Sequence, residues 1–495
     1  MEKLNKSIRL DGRKIYAAAV LLLFIYYMLK QVNEGLWYSI YCVYYLYLSP
    51  VLIAFGLYFS RRGKPLEFKI YTLFCLWLYV SRLLNGDYFL TFDGAAVLDI
   101  CLSCAFFAVC LVLKPWDRFR YLDWLSIAVG AFYTLVGIAV LYGVILQREL
   151  TNPIFYGKLL NFEGLMSRAR VLGESSNESV MWFFISFFLL LYLFVRKKKL
   201  LWRIVIVPAE AINYLCMVAT FSRSGRLAFS AGVALLVGLA ALKLPSMKTR
   251  SKKAFAAAIV TCAVLPIAYL SFDAAAAGVR LASDTAITLV GDEETKQETA
   301  SPAASPAAAA EATPTAAAAA TPGAGSEQKG ENTETASSQF MYQDSRGLND
   351  SGRFEVYKSI IPTIQREPLR LLRGCKYQDV MGVANTVLKN YKVHFHNTFL
   401  QSLAFTGLPG LILCLAFCIL LTVKIIRLYF SPAPFELKVL SMILVGSLMY
   451  NMLEVSLFYY ADIRTHSFFL ISGAVLAWFR DEAHEKVGEE RRIRG

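Results

Sequence analysis

His394-Phe-His-Asn-Thr-Phe-Leu-Gln-Ser-Leu-Ala-Phe-Thr-Gly-Leu-Pro-Gly410 joins a long polar segment to the apolar run Leu411–Leu421. An imidazole therefore stands where water meets membrane, at the mouth of a hydrophobic helix. His396 can give or take a proton near neutral pH, and the Asn397 amide can orient a partner. Gly407, Pro409 and Gly410 suit backbone that bends or lies close to a neighbour. The same residues also fit a plain helix start with Asn397 as its cap, so the decision rests with the chain around them.

That chain has 495 residues, of which 56% are hydrophobic and 18% charged, a balance foreign to a soluble protein. Apolar runs of roughly 20 residues, enough to span a bilayer, recur along most of it. The reading is an all-α polytopic membrane protein. The formal charge of +14 does not point to nucleic acid, because the basic residues gather in short loops between apolar runs and set orientation. Most cysteines sit inside apolar runs as small hydrophobes. Cys101-Leu-Ser-Cys104 has no second pair and no histidine beside it, so no metal site is expected. The first apolar run, Ile15–Leu29, lacks a small-residue cleavage site and reads as a retained anchor.

Lys3, Lys6, Arg9, Arg13 and Lys14 mark residues 1–14 as cytoplasmic. Spans are expected near 15–31, 36–59, 67–84, 96–113 and 121–145, with basic loops after the second and fourth on the inside. A short polar external segment, 147–179, precedes a span at 180–195 that ends in Arg196-Lys-Lys-Lys199. Spans near 200–220, to 243 and 254–271 complete nine within residues 15–271. Residues 272–396 are then an external loop domain between spans nine and ten. Within it, 291–338 is rich in Ala, Pro, Thr and Glu and reads as a disordered tether, while Phe354, Val356, Tyr357, Ile360, Ile361 and Ile364 have amphipathic-helix spacing. Spans ten to twelve fall in 397–480 (near 398–424, 437–459 and 463–479), and 481–495 is a cytoplasmic tail. The expected architecture is about twelve transmembrane helices with both termini inside.

Arg170, Arg223, Arg226 and Arg353 lie on three expected external segments, where arginine should be scarce. Guanidinium groups are planar, permanently charged and bidentate toward phosphate oxygens. Gathered near His396 they suit a lipid-linked diphosphate, each good contact contributing roughly 1.5–3 kcal/mol. Singly, each also fits a surface role: Arg223 and Arg226 reaching headgroups, Arg353 pairing with Asp350 or Glu355.

His396-Asn-Thr-Phe-Leu-Gln-Ser-Leu-Ala-Phe-Thr-Gly-Leu-Pro-Gly410 resembles the signature of the O-antigen ligase and O-antigen polymerase superfamily of bacterial envelope proteins. Phe221-Ser-Arg-Ser-Gly-Arg226, Ser351-Gly-Arg353 and Arg170-Val-Leu-Gly-Glu-Ser-Ser-Asn177 resemble further family segments, although the usual proline after the last is missing here. The resemblance covers about 165–428. It implies metal-independent, inverting glycosyl transfer without a cofactor, at the outer leaflet of the bacterial cytoplasmic membrane. The donor would be a glycan on undecaprenyl diphosphate, and the acceptor a sugar hydroxyl on a glycan or lipid. Arg223, Arg226, Arg170 and Asn397 would bind the diphosphate, and Arg353 and His396 would be catalytic, His396 as general base or as a cation on the diphosphate. The rival readings are a lipid-linked oligosaccharide flippase, against which stands the lack of an internal repeat, and a sensor or wall-anchoring scaffold. Ligase and polymerase share these motifs.

Overall fold

The computed structural model describes residues 11–32, 49–59, 65–86, 92–152, 157–163, 168–172, 175–242, 249–299, 361, 365, 367–375, 395–455, 457–459 and 462–494. In chain order the elements are α1 (Gly12–Val32), α2 (Ser49–Phe59), α3 (Leu66–Leu84), α4 (Phe92–Val112), α5 (Pro115–Ile145), strands β1 (Leu150–Asn152), β2 (Gly157–Glu163) and β3 (Arg168–Val171), then α6 (Ser176–Arg196), α7 (Leu200–Ala219), α8 (Arg223–Leu242), α9 (Arg250–Thr299), the single turn α10 (Arg370–Arg373), α11 (Thr398–Phe430), α12 (Phe435–Asn451) and α13 (Ile463–Arg494). Seven of these helices, α1, α5, α6, α7, α8, α9 and α11, are long and apolar enough to cross a membrane. The apolar part of α4, Ile100–Val112, and the 17 residues of α12 are shorter. The chain is a multi-pass helical membrane protein.

The helices pack through aromatic side chains. The rings of Tyr71 on α3 and Phe469 on α13 stack at 3.9 Å, and Phe107, Phe417 and Phe458 close around them. At the other side Phe187, Phe188 and Phe229 join α6 to α8. Such offset and edge contacts add about 0.5–1.5 kcal/mol per pair beyond the area they bury. A polar cluster marks one end of the bundle. Asp123 on α5 accepts from Tyr192, Arg196 and Lys197 at 2.8, 2.6 and 2.6 Å. His396 is tied to the first turn of α6, at the helix's opposite end (below).

Several expected boundaries move. The segment 147–179 is not simply polar loop: 150–171 forms a three-stranded antiparallel sheet, β1-β2-β3, so the chain is not wholly α. Its pattern alternates as a half-buried sheet requires. Leu160 faces Val171 across the ladder, and Leu160, Ala169 and Val171 are fully buried. Arg170, opposite Asn161, turns to the other face. The helix expected from 180 begins at Ser176, because Ser175-Ser-Asn-Glu178 is a capping box. Ser175 accepts from the Glu178 amide, and the Glu178 carboxylate accepts from the Ser175 amide.

The span expected to end at 271 instead continues as one 50-residue helix to Thr299, about 75 Å long. No proline interrupts the chain between Pro266 and Pro302, and Asp273–Ala277 favours helix. Residues 291–299, placed in the tether, are therefore helical. The rest of the tether, Arg353 and every amphipathic position but Ile361 (Phe354, Val356, Tyr357, Ile360 and Ile364) lie outside the described residues. The helix of the span set at 437–459 stops at Asn451, so 452–455 and 457–459 lie outside it, and α13 runs on through most of the tail to Arg494.

Gly446 lets α12 approach α6 closely, and any Cβ there would collide with the fully buried ring of Phe184. Gly446→Leu should therefore cost at least roughly 1–3 kcal/mol by overpacking. The check is thermal unfolding of the purified protein in detergent, in which this variant melts below the wild type.

Candidate functional site

The backbone at His396 is the first sign of a constrained position. Its φ is 52°, and Phe221, where the turn between α7 and α8 begins, has φ 48°. Non-glycine residues enter the left-handed region at a cost, and retain it where surrounding structure over-determines them. After His396, Asn397 caps α11: its Oδ1 accepts from the Phe399 and Leu400 amides, both at 3.0 Å. The cap is thus real, and it does more than cap. Asn397 Nδ2 donates to the Met452 carbonyl at 3.0 Å, and the Thr398 hydroxyl donates to Asn451 Oδ1 at 2.7 Å. The start of α11 is pinned to the end of α12.

Across that junction lies Glu454, a carboxylate buried to 3% exposure. His396 Nδ1 stands 2.8 Å from Glu454 Oε2, and Asn177 Nδ2 donates to Glu454 Oε1 at 2.8 Å. Ser222 Oγ donates to Asn177 Oδ1 at 2.8 Å and accepts from the Gly225 amide at 3.2 Å. The Tyr450 hydroxyl donates to the Asn177 carbonyl at 2.8 Å. Four segments distant in sequence thus meet through one polar chain: His396, Glu454, Asn177, Ser222. The His396 side chain keeps 21% exposure. Beside the chain, buried Arg464 donates from Nη2 to Glu178 Oε1 at 3.2 Å and also pairs with Asp462.

Of the arginines singled out, Arg223 opens α8 next to Ser222 and is exposed. Arg226, one turn on, is directed to α9: Nη1 pairs with Asp273 at 2.9 Å, and its guanidinium lies over the rings of Tyr269 and Phe272. Arg170 lies on β3, half-buried. Arg353 lies outside the described residues. Glu454 and Arg464 escaped the sequence reading, although a signal existed. An acid placed inside an apolar run, as Glu454 is when a span is drawn over 437–459, marks either a partnered site or a misdrawn span.

Further along α11 the helix breaks. Gly407 has φ 67° and ψ −170°, and Pro409 has no amide hydrogen for the Phe405 carbonyl. In apolar surroundings each orphaned carbonyl costs about 1–3 kcal/mol, and here three consecutive ones find donors outside the helix. The Cys375 amide donates to Ala404 O at 2.8 Å, Ser81 Oγ and Arg82 Nη2 to Phe405 O at 2.9 and 2.8 Å, and Trp77 Nε1 to Thr406 O at 2.7 Å. Below the break, Leu73, Trp77, Leu372, Leu408, Pro409 and Ile412 line a wholly apolar groove of about 410 Å³. On α10's flank, Glu367 accepts from Arg370 Nε at 2.6 Å and pairs with Arg373. The Arg370 hydrogen bond, with Arg373's charge, holds the Glu367 carboxyl below the usual carboxylate range.

Chemically, a histidine held at Nδ1 by a buried carboxylate is the arrangement that fixes an imidazole's tautomer and orientation for proton transfer. No curated protein and no solved structure matches the chain. Residues 211–415 match the family model described as O-Antigen ligase, a stretch that contains Arg223, Arg226, Arg353, His396 and Asn397. Residues 211–415 thus carry a domain similar to O-antigen ligases, which supports a place in cell-surface polysaccharide biosynthesis.

Proposed function

We propose that the protein transfers a glycan from an undecaprenyl-diphosphate-linked donor to a sugar hydroxyl at the outer face of the cytoplasmic membrane, by inversion and without a metal. The observation that carries this reading is the His396–Glu454 pair, joined through Asn177 to the Ser222–Arg226 turn. Orientation follows from charge. The Arg196-Lys-Lys-Lys199 run lies at the end of α6 opposite Asn177, and placing it in the cytoplasm puts His396 outside.

In this mechanism the acceptor oxygen attacks the anomeric carbon as the bond from that carbon to the diphosphate oxygen breaks. The bonding pair leaves with the diphosphate. Glu454 accepts a hydrogen bond from His396 Nδ1–H, so the acceptor's proton goes to Nε2 and the imidazolium forms against a carboxylate. The diphosphate's growing charge is met by Arg223 and Arg353, with Arg170 and Asn397 at the margin. Arg226, which Asp273 and two aromatic rings hold, shapes the turn that presents Arg223. The apolar groove below the α11 break suits the hydrocarbon tail of the donor, since none of its lining residues is charged.

His396→Ala should insert normally yet lose transfer, and Glu454→Gln should lower turnover about 10²–10⁴-fold, the usual scale of a general base and its orienting carboxylate. The measurement is new glycosidic linkage formed by reconstituted protein from lipid-linked glycan and acceptor. Full transfer by His396→Ala would remove the base from the mechanism, and leaflet translocation without new linkage would instead reveal a flippase. In the same assay Arg353→Lys should be severely impaired, because lysine lacks the bidentate fork. A wild-type rate there would show that one positive charge suffices.

A further inference from the structure

The mechanism as proposed makes no use of Arg82, an arginine at the end of α3 with 7% exposure. Its surroundings suggest what it does. Nη2 donates to Phe405 O at 2.8 Å and Nη1 to Cys375 O at 3.3 Å, and the guanidinium lies 4.8 Å from the centroid of the Phe405 ring. Its neighbours extend the contact. Ser81 Oγ shares its one proton between Arg373 O at 2.5 Å and Phe405 O at 2.9 Å, and Asn85 Nδ2 donates to Arg373 O at 3.0 Å. One helix end therefore grips two separate stretches of backbone: the break in α11 and residues 373–375, the described end of the segment preceding it.

Those two stretches are themselves interlocked. Gly374 and Gly407 both have positive φ, 78° and 67°. A Cβ on Gly374 would collide with the Phe405 carbonyl, and a Cβ on Gly407 with the Leu372 carbonyl. The piece of α11 before the break, Thr398–Thr406, is about 13 Å long and carries His396 and Asn397 at its front. The front is held by Glu454, Asn451 and Met452. The rear is held by the α3 grip and by Cys375.

We propose that Arg82, with Ser81 and Asn85, is a positioning element for the transfer reaction: it fixes the rear of this half-helix so that His396 stays aligned on Glu454. The inference rests on the reading of His396 as the base. Released at the rear, the half-helix pivots about Gly407 and carries the imidazole with it. A displacement near 1 Å at a reacting group lowers turnover by about 100-fold. Arginine suits the task because two nitrogens of one rigid, planar fork reach two carbonyls on different segments at a fixed spacing.

The test uses the full-length protein in proteoliposomes, with the lipid-linked glycan that accumulates in a strain lacking the enzyme as donor. For Arg82→Ala we expect turnover to fall roughly 10- to 100-fold at equal amounts of inserted protein, with KM for the donor within about twofold of the wild type and partial recovery in Arg82→Lys. Limited trypsin digestion, mapped by mass spectrometry, gives a second readout independent of activity. Cleavage after Arg373 should accelerate in Arg82→Ala, because Arg373's carbonyl belongs to the gripped stretch, while cleavage after Arg148 stays as in the wild type. Wild-type turnover, unchanged cleavage after Arg373, or equal acceleration at both sites each overturns the proposal. If Arg82→Ala fails to insert, Ser81→Ala, which loses the bonds to Arg373 and Phe405, carries the same expectations at smaller size. His396→Ala run in parallel separates the two readings: transfer by that variant sinks the base, while the digestion result for Arg82→Ala still judges the grip.

Discussion

A carboxylate taken out of water must be given donors, and Glu454 at 3% exposure is such a group. Breaking a buried pair leaves a charge stranded, at a cost of about 3–5 kcal/mol. Two groups that meet it, His396 Nδ1 and Asn177 Nδ2, come from the entry to α11 and the first turn of α6. Neither would be there by local preference alone. Asn177 is placed because the Ser175–Glu178 capping box starts α6 two residues earlier, and its carbonyl is held by Tyr450 of α12. The demand of one acid thus aligns α6, α11, α12 and the α7–α8 turn at the same end of the bundle.

A second constraint acts one half-helix away. Apolar surroundings supply no water to satisfy broken backbone, so a helix can be interrupted there when protein groups replace the missing bonds. The interruption at Gly407 and Pro409 is of this kind, with donors from α3 and from residue 375. The break separates a short, pinned half-helix with His396 at its front from a long apolar one. The same division of labour explains why α3 ends in Ser81, Arg82 and Asn85, a polar tip on a helix otherwise given to Phe68, Tyr71, Phe74 and Leu78 in the core.

Much of this was legible in the residues because membrane helices announce themselves by length and hydropathy. The long apolar helices, the cap at Asn397 and the bend at Gly407 all follow from patterns of that sort. The misses share a different cause. The β-sheet at 150–171 is built from strands of three, seven and four residues, so short that the alternation of Arg168-Ala-Arg-Val171 covers only two periods. The length of α9 depended on the absence of a proline over a stretch whose composition suggested a loop. Glu454 is hidden by an apolar run drawn to 459, eight residues past the helix end at Asn451, and the ion-pair partner of Arg226, Asp273, is 47 residues away in the chain. Pairings across that distance have no signature in sequence spacing.

The matched family stretch, 211–415, holds His396 but neither Asn177 nor Glu454. The polar chain His396–Glu454–Asn177 is therefore divided between the recognisable domain and the segments on either side of it. A histidine alone at a membrane surface is a weak base in competition with water. In the proposed mechanism its worth as a base comes from the Glu454 carboxylate, held by an amide that cannot flip without losing Ser222. Rigid scaffolding of this depth is what allows a site on loop ends to keep a geometry that chemistry can use. In this protein that scaffolding is supplied by residues before and after the motif: Asn177 precedes the matched stretch and Glu454 follows it.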